Sequence, residues 1–133
     1  MTSVFVDTSV LIRYFAEDDL PRAIAAANLI DSDHSLVIST GVVLETIHVL
    51  RTDYKIGNPV LAQLLVSLLS RSNVRLSDAD KSGTIAAIYW TQNASSRRIP
   101  DAILTAAAEQ AHVDFIATFD GKMTSPTVPV RML

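Results

Sequence analysis

The chain has 133 residues, 49% of them hydrophobic and 19% charged, a balance that excludes a disordered protein and fits a single domain over residues 1–133. It contains no cysteine, which excludes disulfides, thiolate-bound zinc and iron–sulfur clusters and suits a reducing cytoplasm. The net charge of −3 argues at first against a nucleic-acid partner, an argument that weakens if several acids are drawn into one cation site.

In chain order, Met1 to Val6 has no basic stretch and runs straight into Asp7, so it does not read as a signal peptide. Ser3 to Val6 reads as a buried strand, and Thr8 to Phe15 as a short helix. Leu20 to Ile30 is a second helix with Pro21 in its first turn. Ser35 to Ser39 reads as the next strand, and Thr40 as the cap of a helix running to about Arg51. Asn58 and Pro59 supply a cap and a first helical residue for a helix through Leu69. The run Val60 to Leu69 is interrupted by Gln63 and Ser67 and is too short to span a bilayer, so no membrane partner is expected. Its apolar residues cover more than one stripe, an excess suited to the core or to a dimer interface.

Asn73 to Leu76 is a weaker third strand. Ser77-x-x-Asp80, a capping box with Asp in place of Glu, opens a helix through Trp90. Pro100 starts the last long helix, which ends near His112. Phe115 to Thr118 is a fourth strand, and Val128 to Met132 an edge strand, because Pro129 cannot donate to ladders on both sides. Strands alternating with helices imply an α/β sandwich with a mainly parallel sheet. Right-handed crossovers place the loops after the strands on one edge of that sheet, where ligands bind in such folds.

That rule singles out four acids. Asp7 directly follows the first strand, where it is either an N-cap or a catalytic carboxylate. Asp120 holds the matching position after the fourth strand, in an Asp-Gly pair that is equally a turn signal. Glu45 sits in Val42 to Leu50, a helix apolar almost all round, where an unpaired carboxylate is costly unless its face is exposed. Asp101 lies in the first turn after Pro100, which suits the helix dipole, and heads a face with Leu104, Thr105 and Ala108. Each has a structural explanation of its own; one shared site explains all four. His34, His48 and His112 show no zinc spacing, and the scattered glycines form no P-loop or dinucleotide loop.

At these residues the sequence resembles the PIN-domain ribonucleases, and specifically the small toxins of VapBC-type toxin–antitoxin pairs. The matching pieces are Val4 to Ile12, then Leu44-Glu45, then Pro100 to Ala108, then Phe115 to Asp120, an ordered set that covers nearly the whole chain. Met123 departs from the family, whose members often carry an aromatic there. The resemblance implies a three-layer sandwich with sheet order 3-2-1-4-5, flanked by helices. It implies that Asp7, Glu45, Asp101 and Asp120 are an acidic quartet, with Thr8 and Thr118 as supporting hydroxyls. It further implies RNA cleavage to a 5′-phosphate and a 3′-hydroxyl, a homodimer, and a small antitoxin partner.

Four oxygen donors without a cysteine or an obvious histidine partner select a hard cation, Mg²⁺ or Mn²⁺. Asp7, Asp101 and Asp120 are the expected closest ligands; Glu45 either ligates or orients the attacking water. Arg97, Arg98 and Lys122 flank the last two acids and are candidates for phosphate contact, with solvated surface charge as the plain alternative. Two other classes compete. One is a partner-binding module of the same fold with an idle metal site. The other is an aspartyl-phosphate phosphatase, although Ser9 stands where that chemistry usually carries a second Asp.

Overall fold

The computed structural model describes residues 2–133; Met1 lies outside the described residues. The chain divides into two compact units, one ending at Asp78 and the other spanning Ala79–Leu133. The first unit runs β1 (Ser3–Phe5), α1 (Thr8–Ala16), α2 (Leu20–Ile30), β2 (Ser35–Ile38), α3 (Thr40–Thr52), α4 (Asn58–Leu69) and β3 (Val74–Leu76). The second runs α5 (Lys81–Trp90), a 3-10 turn (Thr91–Asn93), α6 (Ile99–Gln110), β4 (Ile116–Thr118) and β5 (Val130–Met132).

The first unit is built on a parallel sheet in which β2 is central, pairing Val4 with Leu36 on one side and Val37 with Arg75 on the other. Leu36 and Ile38 are fully buried, as the middle strand of a covered parallel sheet requires. Parallel strands need helical crossovers, so all three strands end on one edge. Asp7 follows β1, Ser39 follows β2, and Asp78 follows β3. β4 and β5 form a second parallel pair, Ile116 opposite Val130. The orders 3-2-1 and 4-5 each agree with the corresponding part of the expected five-strand order.

α3 buries Val43, Ile47 and Leu50, each about 1% exposed, and each such side chain contributes roughly 1.5–3 kcal/mol. α4 buries Leu61, Leu65, Val66, Leu68 and Leu69, so most of its apolar excess is core. In the second unit α5 packs on α6 through small residues, Ala87 against Ala102 and Ala106, with Trp90 at the margin. No helix among the described residues is long and apolar enough to cross a membrane.

Several expectations about local structure need correction. β1 is not a buried strand: Phe5 is 60% exposed, because β1 stands at the margin of its sheet, and burial begins at Val6. The cap of α3 is Ser39, not Thr40, and that of α4 is Gly57, not Asn58. Asp80 itself caps α5, accepting from the Gly83 N–H at 2.7 Å, so Ser77 opens no capping box. α6 begins at Ile99 and stops at Gln110. His112, just beyond it, takes a left-handed backbone, φ 57°, which a helix cannot continue.

Thr40 has a different task. Its N–H donates to Asp78 Oδ1 at 2.9 Å and its hydroxyl to Asp78 Oδ2 at 2.7 Å, tying the start of α3 to the end of β3. The Thr40 hydroxyl, opposed by partial burial and helped by the Thr40 N–H, holds the Asp78 carboxyl below the usual aspartate range. A lowered folded pKa gives stability that is fully present above the unfolded value of about 3.9 and is lost as pH falls through the folded one. Asp78→Ala is therefore expected to cost about 1 kcal/mol near neutral pH, a figure held down by solvent exposure. The difference from wild type narrows below about pH 3.9, as denaturant melts across pH will show.

Candidate functional site

Asp7 lies just beyond β1, where Val6 is 1% exposed and donates its N–H to Val37 O at 2.9 Å. Its backbone is extended, φ −80° and ψ 157°, as an N-cap requires. One carboxylate oxygen, Oδ2, accepts from the Ser9 hydroxyl at 2.6 Å and from the Ser9 N–H at 3.1 Å. The Ser9 hydroxyl, then its N–H, holds the Asp7 carboxyl below the ordinary range. The capping reading of Asp7 is thus correct as local structure. Thr8 beside it is 7% exposed, and its Oγ1 is buried with no hydrogen-bond partner among the described residues. Leaving a hydroxyl so costs about 1–3 kcal/mol unless a ligand takes it up.

Glu45 is exposed, as are Leu44 and His48. Of the two readings of Glu45, a costly buried carboxylate or an exposed face, the structure has the second. The inward face of α3 is Val43, Thr46, Ile47 and Leu50. Glu45 is two residues from Ile47, roughly 200° round the helix, with half-buried Val42 and Val49 at its flanks. A cavity of about 540 Å³ between α1 and α2 takes in Ser9, Arg13 and Arg22 among mainly apolar walls, and none of the four acids lines it.

In the second unit, Asp101 occupies the first turn of α6 with its side chain 21% exposed. Arg98 holds the N-cap position, extended at φ −99° and ψ 137°, and caps nothing with its side chain. Its guanidinium instead spans two acids: Nε donates to Asp101 Oδ2 at 2.7 Å and Nη2 to Asp120 Oδ2 at 2.6 Å. Asp120 is further fixed by the Thr118 hydroxyl, which accepts its N–H at 3.0 Å, and by the Lys122 N–H, which donates to Oδ1 at 2.9 Å. The Met123 N–H donates to Asp120 O at 3.1 Å, so the Asp-Gly pair does form a turn. Arg98, then the Lys122 N–H, holds the Asp120 carboxyl below the usual range.

Arg97 is stacked at 4.3 Å on the Trp90 ring and donates Nη1 to Trp90 O at 2.9 Å, while Lys122 is exposed. Of the residues expected at the site, the second unit brings Asp101, Asp120, Thr118 and Arg98 together. The first unit carries Asp7, Thr8 and Glu45, with Asp7 held by its own helix start. Within either unit no three Asp, Glu or His side chains form a metal-holding group among the described residues. The sequence alone did not single out Arg98–Asp101, Arg98–Asp120, Ser9–Asp7 or Thr40–Asp78. Arg98–Asp101 was legible as an i,i+3 pair. Ser9 was legible as a residue two beyond a cap, whereas the Thr40–Asp78 contact joins residues 38 apart and left no local signal.

A family model described as the PIN domain matches residues 4–126. The comparison with curated proteins finds no match. The matched span reaches across both compact units. PIN domains are typically nucleases, and PIN nucleases generally use divalent metal ions. Each unit taken by itself offers donors of the kind such an ion takes. In the second, two carboxylates already share one cationic centre, Arg98; in the first, the buried Thr8 hydroxyl beside Asp7 has no hydrogen-bond partner among the described residues. All are hard oxygen donors, matched to Mg²⁺ or Mn²⁺ rather than to a thiophilic metal.

The orphaned Thr8 hydroxyl generates a test in two conditions. With EDTA, Thr8→Val is expected to leave stability unchanged or raise it by up to about 1 kcal/mol, since an unsatisfied polar atom is replaced by a methyl group. With Mn²⁺, the same variant should show a smaller metal-dependent rise in Tm than wild type. Differential scanning calorimetry reads both; a large loss of stability with EDTA would mean the hydroxyl has a partner.

Proposed function

We propose, on the premise that the chain belongs to the PIN-domain family, that it is a Mg²⁺- or Mn²⁺-dependent endoribonuclease and the growth-inhibiting toxin of a VapBC-type toxin–antitoxin pair. Two carboxylates, Asp101 and Asp120, turned onto one cationic centre carry the metal-dependent part of this reading. Asp7, Asp101 and Asp120 are assigned as ligands, with Glu45 as a further ligand or as the residue that orients the attacking water. A divalent ion held by these acids supplies a water of lowered pKa and positive charge for the phosphate and the leaving oxygen.

The chain's own residues do the positioning. Ser9 fixes Asp7 by donating to its Oδ2, and Thr118 fixes Asp120 by accepting its N–H. Thr8 offers its hydroxyl next to Asp7. In the proposed hydrolysis the water oxygen bonds to phosphorus and loses a proton as the P–O3′ bond breaks, and the departing O3′ takes up a proton, leaving a 5′-phosphate and a 3′-hydroxyl. Arg97, Arg98 and Lys122 are assigned to the phosphates flanking the cut. The partners proposed with this activity are a second copy of the chain and a small antitoxin. Leu20 and Ile24 of α2, 66% and 53% exposed, offer apolar surface to such partners. An aspartyl-phosphate phosphatase gains no support, because Ser9 stands where that chemistry usually carries a second aspartate and its hydroxyl serves as a donor to Asp7.

Asp7→Asn decides the catalytic assignment. Asparagine caps a helix as well as aspartate, so Tm should hardly move. Cleavage should fall by at least about 100-fold, since supporting residues alone cost roughly 10–100-fold in metal sites. Mapping RNA fragments after controlled expression of wild type and variant reads both rate and end chemistry; retained cleavage by the variant removes Asp7 from the mechanism. Mn²⁺ should raise the Tm of the wild type near neutral pH, and EDTA should reverse the rise. Absence of any metal-dependent shift would speak against the whole centre.

A further inference from the structure

We infer that Arg98 is a built-in cation that competes with a divalent ion for Asp101 and Asp120, so that its guanidinium sets how tightly these acids take up metal. The inference rests on the metal-dependent reading above and deepens it by assigning a positioning residue.

One planar group reaches two carboxylates that are distant in sequence. Nε serves Asp101, three residues on, and Nη2 serves Asp120, 22 residues on, each through the Oδ2 atom and each at 2.7 Å or less. Two donors on different nitrogens of one rigid fork make this possible; an ammonium has no such fork. Charge-assisted contacts of this length occupy the oxygens they touch. Asp120 Oδ1 is meanwhile held by the Lys122 N–H, and the backbone of Asp120 by Thr118. An ion that takes Oδ2 of either acid must therefore displace or share the guanidinium.

The competition is reversible because the pairs are only partly withdrawn from water. The Arg98 side chain is 37% exposed, Asp101 21% and Asp120 46%. Ion pairs of that exposure are individually weak, and a divalent charge outbids a monovalent one. Arg98 leaves no other duty behind when it moves, since it caps α6 with its backbone position alone. Until metal arrives it neutralises two neighbouring carboxylates that would otherwise repel each other. The same residue thus stabilises the metal-free chain and weakens its metal binding. A purely structural arginine would do the first without the second.

Mn²⁺ titration of the purified full chain by calorimetry, paired with metal-free melting, separates these cases. Arg98→Gln should melt below wild type with EDTA yet bind Mn²⁺ roughly tenfold more tightly, the loss of two exposed ion pairs setting that scale. Arg98→Lys, which keeps the charge and loses the fork, should fall between the two and provides the reading if the glutamine variant folds poorly. Arg97→Gln removes the same charge one residue away and should stay within about twofold of wild type, because its guanidinium is engaged by Trp90 rather than by either acid. Asp101→Asn should lose binding. Equal or weaker binding by both Arg98 variants, or equal tightening by Arg97→Gln, overturns the inference; if Asp101→Asn still abolishes binding, the metal centre itself stands. Mn²⁺ binding that is absent from wild type, or indifferent to Asp101→Asn, overturns the metal centre and the inference together.

Discussion

A carboxylate at the end of a parallel strand stands where the ladder no longer supplies donors, and its charge must be met by something nearby. This chain meets that constraint three times. Asp7 after β1 is held by Ser9, Asp78 after β3 by Thr40, and Asp120 after β4 by Arg98 and the Lys122 N–H. In each case the donor pulls the carboxyl below the ordinary aspartate range. The acids are thereby kept ionised, in the form that attracts a cation.

The donors differ in what they allow next. Ser9 and Thr40 are neutral and each belongs to the first turn of a helix, so their hydrogen bonds persist whatever binds. They fix carboxylate direction and start α1 and α3 in the same contact. Arg98 is a long, charged, half-exposed side chain whose contacts last only while no stronger cation competes. Local structure and proposed chemistry therefore coincide at Asp7 and Asp120 without conflict. A cap or turn uses some of the carboxylate's acceptor capacity, and an ionised carboxylate has about four acceptor sites. Reading such a residue as either structural or functional poses a choice that the chemistry does not impose.

What could be read from the sequence followed the range of the interactions involved. The extents of α2 and α4 were legible because Pro21 and Pro59 mark their first turns and the residues behind them are mostly apolar, with no further proline or glycine to stop the helix. Caps were displaced where neighbouring residues offer similar chemistry. Ser39 and Thr40 both carry a hydroxyl, and only the extended backbone at Ser39 selects it. Glu45 misled because Leu44 is apolar but outward-facing, which made the helix look covered on every side when its inward stripe is narrower. The positions of the acids were legible from strand-then-acid order and from the family pattern. Their partners were legible only at short range, as with Arg98–Asp101 and Ser9–Asp7, because a contact such as Arg98–Asp120 exists only once α6 and β4 have been brought together within their unit.

The acidic balance of the chain takes on a different meaning once these pairings are known. Arg13, Arg22, Arg71 and Arg98 are each paired with an aspartate, and Arg97 and Arg131 lie over aromatic rings. Much of the positive charge is thus already committed inside the chain, and a phosphodiester must displace or share it. Arg97 can share: stacking on Trp90 uses the face of the guanidinium and Nη1 serves Trp90 O, while a guanidinium carries further donors on its other nitrogens. Arg98 can only be released, and on the proposed reading Asp101 and Asp120 would then hold the ion that would supply positive charge for the phosphate. Metal uptake would then convert an arginine held by two acids into one available to substrate, so that positive charge is presented to RNA when the acids are loaded. Net charge, which sums over all these groups at once, registers none of this; the distribution of partners does.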